Sequence, residues 1–330
     1  MTEWNSRILA PGKEPDFRHL VDKLFAQQLE TWPALRAGVE AFREVEYRRL
    51  SVGRTPVLLQ HNPRRIVSTG APMDAASIRR RPCFLCPDNM PEEEKGLEFG
   101  TRFVVFCNPY PVLKNHLVLI SKEHRPQAIN GTAMYALDFA EALGPEFFVL
   151  YNGPSSGASA PDHLHLQAGA LEFIPVLSDL EECAKLAIPS PPGIETFALE
   201  NYRVNTLIIR GGKKFDLANW IETIGHVLAD LAGTKSLEPL LNLLFIRRGR
   251  DWEVVIFPRE RHRPSSFYSS GEDRLIVSPA AIDMGGLMVV PERRDFDRMD
   301  TAIVEGIYRE VTLVDEKFDR LIGVLPGIVR

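Results

Sequence analysis

From Asp16 to about Leu50 apolar side chains return near helical spacing, at Leu20, Leu24, Phe25, Leu29, Leu35, Val39 and Phe42, with a break at Pro33. The pattern predicts helical scaffold. Val57-Leu58-Leu59 and Ile66-Val67-Ser68, either side of the polar turn His61-Asn62-Pro63-Arg64-Arg65, read as two short strands. Between Arg102 and Ala170, apolar runs alternate with breakers and predict strands near 102–107, 115–121, 147–152 and 163–169, interrupted by one helix near 132–143.

Clustered prolines in Ile188-Pro189-Ser190-Pro191-Pro192-Gly193 fit neither a helix nor a central strand, so a linker is expected there. Beyond it come a strand near 204–210, a helix near 216–231, and strands near 241–247, 252–258 and 286–290. The second half thus repeats the kinds of element seen in the first. A local echo between Leu117–His124 and Val254–His262 points the same way. The reading is an α+β fold of antiparallel sheets with packed helices in two lobes: 1–187 with a helical N-terminal extension, a linker at 188–198, and a second lobe at 199–330 that lacks the motifs described below.

Composition narrows the function. A 330-residue chain with 45% hydrophobic and 25% charged residues has the make-up of a globular protein. Its formal charge of −5 excludes the global basic field of a long nucleic-acid binder, so phosphate recognition must be local. No apolar run approaches the roughly 20 residues needed to span a bilayer, and Met1–Gly12 lacks a signal-peptide layout, so a cytoplasmic protein without membrane attachment is expected. Four cysteines in a chain of this size do not make a disulfide framework.

Three segments carry chemistry. In Asp162-His163-Leu164-His165-Leu166-Gln167, strand alternation places His163, His165 and Gln167 on one face. The preceding Asn152-Gly153-Pro154-Ser155-Ser156-Gly157-Ala158-Ser159-Ala160-Pro161 is a loop of small residues that lets backbone N–H groups and serine hydroxyls approach an anion. Cys83-Phe84-Leu85-Cys86 is a Cys-x-x-Cys knuckle; without the strand and helix of a redox dithiol around it, structural zinc is the favoured reading, given two further ligands from elsewhere. The turn Asp283-Met284-Gly285-Gly286 is suggestive but receives no role.

Together with Asn108-Pro109-Tyr110-Pro111-Val112-Leu113-Lys114-Asn115-His116, these segments resemble the histidine-triad (HIT-like) superfamily, in the branch containing galactose-1-phosphate uridylyltransferase and the diadenosine tetraphosphate phosphorylases (ATP adenylyltransferases). The resemblance runs from about Asn62 to Gly169 and continues weakly through Asn242–Pro258 and Gly285–Pro291. It implies that His165 attacks the α-phosphorus of a nucleotide, and imidazole suits that role because its ordinary pKa of about 6.5 leaves much of it unprotonated at neutral pH. It implies that Gln167 favours transfer to inorganic phosphate or a sugar phosphate over transfer to water.

By the same resemblance Cys83, Cys86, His124 and His163 ligate a structural zinc, with His116 competing for the place of His124. Asn108 then contacts the nucleoside, Asn152 and Ser159 ribose or phosphate, and Arg65 the phosphates, with Gly157 in the cradle and Ser155 or Ser156 as alternatives for the serine role. The implied substrate is a dinucleoside polyphosphate or a nucleoside diphosphate sugar. A regulatory nucleotide-binding module without turnover and a nucleotide hydrolase are the rival readings.

Overall fold

The computed structural model describes residues 4–9, 16–70, 72, 74–172, 174–233 and 238–329. Two helices, α1 (Phe17–Thr31) and α2 (Pro33–Arg43), open the fold. Asp16 caps α1 by accepting from the Arg18 amide, and Pro33 begins α2, where its missing N–H costs nothing. The expected helix does not continue to Leu50. The chain turns into β1 (Glu46–Val52), which pairs antiparallel with β2 (Thr55–His61) through a turn holding Gly53 at φ 58°.

The predicted strand at Ile66–Ser68 is instead helical, Pro63–Arg65 and Ile66–Thr69 forming successive turns. Three β-branched or small residues are too few for periodicity to decide, and Pro63 favours a helical start.

Ten further strands form one antiparallel sheet. They are β3 (Gly96–Phe99), β4 (Phe103–Cys107), β5 (Leu117–Ser121), β6 (Phe147–Asn152), β7 (His165–Ala170), β8 (Lys185–Ile188), β9 (Ile194–Leu199), β10 (Leu207–Gly211), β11 (Leu241–Arg248) and β12 (Asp251–Pro258). Their spatial order is β3-β4-β5-β7-β6-β11-β12-β10-β9-β8. Each half contributes three successive neighbours, then a helix (Ala133–Leu143 or Lys214–Ala232), then two strands of which the later inserts next to the third. The halves meet where β6 pairs with β11.

This shared order equates β5 with β10 and β7 with β12. The sequence echo had matched β5 to β12, strands that are not equivalent. The proline cluster at 189–193 is the turn of the β8–β9 edge hairpin, and the strand before it already belongs to the second set.

One face of the sheet is buried under α1 and the helices Ala133–Leu143, Lys214–Ala232 and Asp315–Ile328; Leu164, Leu166 and Ala168 point there. The other face lies under β1, β2 and β13 (Leu287–Val290), with the helix Thr301–Val311. In that small sheet β13 runs parallel to β2, so a strand of each half meets there as well.

A buried polar chain crosses the β6–β11 join. Asn242 donates to the Asn152 side-chain oxygen at 2.9 Å and to the Ser156 carbonyl at 2.6 Å, and accepts from Arg259. The Arg259 guanidinium also donates to the carbonyls of Pro279, Arg261, His262 and Val311. Arg259 is 2% exposed and ties the end of β12 to the turn that reaches the site. Removing one member of such a network strands the others without partners. Arg259→Met is therefore expected to lower unfolding stability by about 3 kcal/mol or more in urea titration, and a loss under about 1 kcal/mol would contradict this role.

Candidate active site and metal cluster

Strand alternation sends His165 and Gln167 of β7 to the face away from the long helices, into a cavity of about 120 Å³. Its lining comes from both halves: Arg65, Phe84, Leu85, Asn108, His116, Asn152, Gly157 and Ser159 from the first, Ser278, Ala280, Ile282, Asp283 and Val289 from the second. His163, expected on the same surface, lies two residues before β7 and turns to an adjacent cluster instead.

β6 and β7 pair only as far as Leu150 opposite Gln167, then part to make room for the cavity. Gln127 fills the gap: its amide donates to the carbonyls of Asn152 and His165, both at 2.9 Å, and accepts from the His165 N–H at 2.9 Å. Gln127 is 2% exposed and went unnoticed in the sequence, because a glutamine in a loop carries no local signal of replacing a distant ladder.

The histidine roles follow from hydrogen-bond accounting. The carbonyl of His163 only accepts, so His165 Nδ1, 2.9 Å away, carries the proton and Nε2 keeps its lone pair. Burial lowers the His165 pKa to about 4, partly opposed by that hydrogen bond, so the ring is neutral at physiological pH. The backbone N–H of Val112 donates to His116 Nδ1 at 3.3 Å, which puts the His116 proton on Nε2, 2.8 Å from Gln167 Oε1. Gln167 is thereby oriented with its NH₂ group toward the cavity.

Asn152 is held the same way. Its Oδ1 accepts from Asn242 and from the Ala281 N–H at 2.9 Å, leaving its NH₂ group for the cavity. Gly157 has φ +102°, and a Cβ there would lie 2.6 Å from that of Ala280, so only glycine lets the loop approach the second half this closely. Ser159 lines the cavity; Ser155 is exposed and Ser156 fully buried behind the loop, so neither alternative for the serine role reaches the cavity. Arg65 is half-buried at the rim and donates to the Tyr110 carbonyl at 3.3 Å. Asn108 also lines the cavity, its side-chain oxygen accepting from the Tyr110 N–H.

Cys83, Cys86, His124 and His163 bring their ligand atoms within 4.8 Å of one another, while His116 stays in the reaction cavity. Cys83 Sγ and His163 Nδ1 are 3.3 Å apart, and Cys86 Sγ is 3.2 Å from His124 Nδ1 and 3.6 Å from His163 Nδ1. A tetrahedral ion with metal–sulfur bonds of about 2.3 Å and metal–nitrogen bonds of about 2.0–2.1 Å has N···S edges of about 3.5 Å, so the set fits a metal ion. His163 Nε2 donates to the Ser121 carbonyl at 2.8 Å, which turns the Nδ1 lone pair toward the sulfurs. Since Phe84 and Leu85 of the knuckle line the cavity, the cluster braces its wall.

In the second half, Glu253 of β12 lies opposite Arg210 of β10 and is ion-paired with Arg210 and Arg248.

Comparison with known proteins supports this picture. Residues 24–170 match a family described as a domain of unknown function (DUF4922), and residues 180–326 match the GDPGP1-like, C-terminal domain family. GDP-L-galactose phosphorylase 2 of Arabidopsis thaliana is 28% identical over 225 residues, 65% of this chain and 49% of that protein, so the chain spans about half the length of this relative. Among solved structures, yeast Ap4A phosphorylase Apa2 superposes with a TM-score of 0.62 at 16% identity, covering 91% of this chain and 98% of the yeast chain. Its complex with Ap4A gives 0.59 at 16% identity, covering 90% and 97%.

One prediction concerns His116, whose pKa burial lowers to about 3. Between about 6.5, the ordinary histidine value, and about 3, the unfolded chain binds a proton at this position that the folded chain does not, so folded stability falls with pH across that window. In His116→Gln this contribution is absent. The native-minus-variant difference in Tm is expected to narrow from pH 7.5 to pH 5, and a constant difference would show that His116 is not held neutral.

The chain thus carries a region matching the GDPGP1-like, C-terminal domain family over residues 180–326, is similar to a GDP-L-galactose phosphorylase, and shares the fold of the yeast Ap4A phosphorylase over most of its length.

Proposed function

We propose that this chain is a phosphorylase that transfers a nucleoside monophosphate from a nucleoside diphosphate sugar to inorganic phosphate through a nucleotidyl-histidine at His165. One observation carries the reading: a neutral imidazole with Nδ1 fixed and Nε2 directed into the cavity, beside an amide whose NH₂ group faces the same space. The named activity of the Arabidopsis relative and the C-terminal family match favour a sugar over a second nucleoside as the leaving part.

In this mechanism His165 Nε2 attacks the α-phosphorus, the bond to the bridging oxygen breaks, and the sugar phosphate leaves. Inorganic phosphate then attacks the phosphorus, the P–N bond breaks and the nucleoside diphosphate departs, restoring His165. Gln167 and the loop at Gly157 and Ser159 donate to the phosphoryl oxygens as charge develops, Arg65 offsets phosphate charge, and Asn108 and Asn152 hold the nucleoside end. Because Gln167 has no proton to relay, the site favours transfer to phosphate over transfer to water.

Zinc suits the Cys83, Cys86, His124 and His163 set and, when bound, supplies rigidity to the cavity wall. The second half acts as a degenerate copy that supplies walls and no nucleophile. Among the described residues no helix is long and apolar enough to cross a membrane, and we infer a cytoplasmic enzyme.

Incubation with GDP-hexoses, and with dinucleoside tetraphosphates for comparison, is expected to give nucleoside diphosphate and sugar phosphate only when inorganic phosphate is present. His165→Ala should lower the rate by at least about 10³-fold while leaving Tm within a few degrees of the native value. Cleavage independent of phosphate would point to a hydrolase, and binding without cleavage to a regulatory module. Separately, removing the metal by chelation is expected to lower Tm, which an inert cluster would not do.

A further inference from the structure

The reaction cavity contains a carboxylate that the mechanism does not use. Asp283 is 6% exposed, lies in the short helical segment Ala281–Met284, and lines the cavity with His165, Gln167 and Arg65. One of its oxygens accepts from the Val289 N–H at 2.9 Å and the other from the Ala280 N–H at 2.9 Å. Each carboxylate oxygen accepts more than one hydrogen bond, so acceptor capacity remains on a group that two backbone amides hold rigidly.

A carboxylate is an odd wall for a polyanionic substrate. It repels phosphate, and its useful partners are groups that donate. A metal-bridged phosphate is one way to reconcile the charges, but among the described residues no second acidic group lines the cavity beside Asp283 to share such a cation. Arg65 already offsets part of the negative charge. The remaining donors on a nucleoside diphosphate sugar are base N–H groups and hydroxyls.

The first half presents Phe84, Leu85 and Val118, an apolar wall that suits a planar base and offers a sugar's hydroxyls nothing. With Asn108, Asn152, Ser159 and Gln167 of the first half given to the nucleoside and phosphates in the mechanism above, the polar lining residues of the second half are Ser278 and Asp283. We propose that Asp283 is the specificity-determining residue for the leaving sugar, accepting a hydrogen bond from a hexose hydroxyl. This rests on the phosphorylase reading above and deepens it: the second half, which has no nucleophile, selects what leaves.

A site built to accept from a hydroxyl rejects the analogue lacking it, because the buried carboxylate then loses water without gaining a partner. The test measures kcat/KM for GDP-glucose and its 2-, 3-, 4- and 6-deoxy analogues with the native chain and with Asp283→Asn. At one position the native chain is expected to prefer the hydroxylated substrate by at least about 30-fold, and the variant by less than about threefold. A merely structural role would slow all substrates alike and leave that ratio unchanged, overturning the proposal.

Asp283→Asn places an NH₂ group against a backbone N–H and risks misfolding, so Asp283→Glu, which keeps the charge and moves it by one methylene, is read in parallel; an unchanged ratio there counts equally against the proposal. Equal rates for all four analogues in the native chain would overturn it without any variant, as would a preference that follows only the ribose hydroxyls in deoxyribose analogues. If native protein leaves GDP-glucose and other GDP-hexoses intact, the phosphorylase reading fails first and this inference with it.

Discussion

The site depends on how the two halves are joined. β6 and β11 pair at the centre of the ten-stranded sheet, and directly across that pairing Asn152 meets Asn242, which in turn holds Arg259. Arg259 is fully buried, and such a cation is tolerable only when its donors all find acceptors, here one side-chain oxygen and four backbone carbonyls. Those acceptors lie on β11, just past β12, at the turn before Ala281 and at the end of the helix Thr301–Val311, so one guanidinium ties these second-half elements together, and Asn242 carries the link on to Asn152 and Ser156 of the first half. The Ala281 N–H then reaches Asn152, and the small-residue loop packs at Gly157 onto Ala280. The cavity exists because these constraints are met together.

Within it, each histidine has one ring nitrogen committed to a fixed partner, which defines what the other can do. His163 donates to Ser121 and offers its remaining nitrogen to the cysteine knuckle; His165 donates to His163 and keeps a lone pair for the cavity; His116 donates to Gln167 and aims its amide. The three rings form a relay of orientation from the Cys/His cluster to the cavity. Burial keeps His165 and His116 neutral, so in the proposed mechanism His165 needs no separate base and the Gln167 amide keeps its direction.

Much of this was legible in the sequence because it is local. The His-x-His-x-Gln alternation, the Cys-x-x-Cys spacing and the small-residue loop are short-range patterns, and they come together as the motif order implies. The partition of His163 from His165 was not legible, since it depends on where β7 begins. Gln127 and Arg259 were missed because each acts by contacts with residues far along the chain, and Asp283, in a turn that received no role, because only the fold brings that turn to the cavity. The same holds for the repeat. Its elements were visible, but the equivalence of β5 with β10 appears only in the order of strands across the sheet, and the local echo chose the wrong partner. Short segments failed where propensity is weakest, at Ile66–Ser68 and at β1, whose pairing with β2 overrides the helical pattern preceding it.

The most direct measurement is intact-protein mass spectrometry on native chain mixed with a GDP-hexose and acid-free quenched before phosphate is added, followed by peptide mapping. The account predicts one added nucleoside monophosphate per chain, located on His165 and discharged as nucleoside diphosphate when phosphate is supplied. Turnover without any such adduct, or an adduct on another residue, would contradict it.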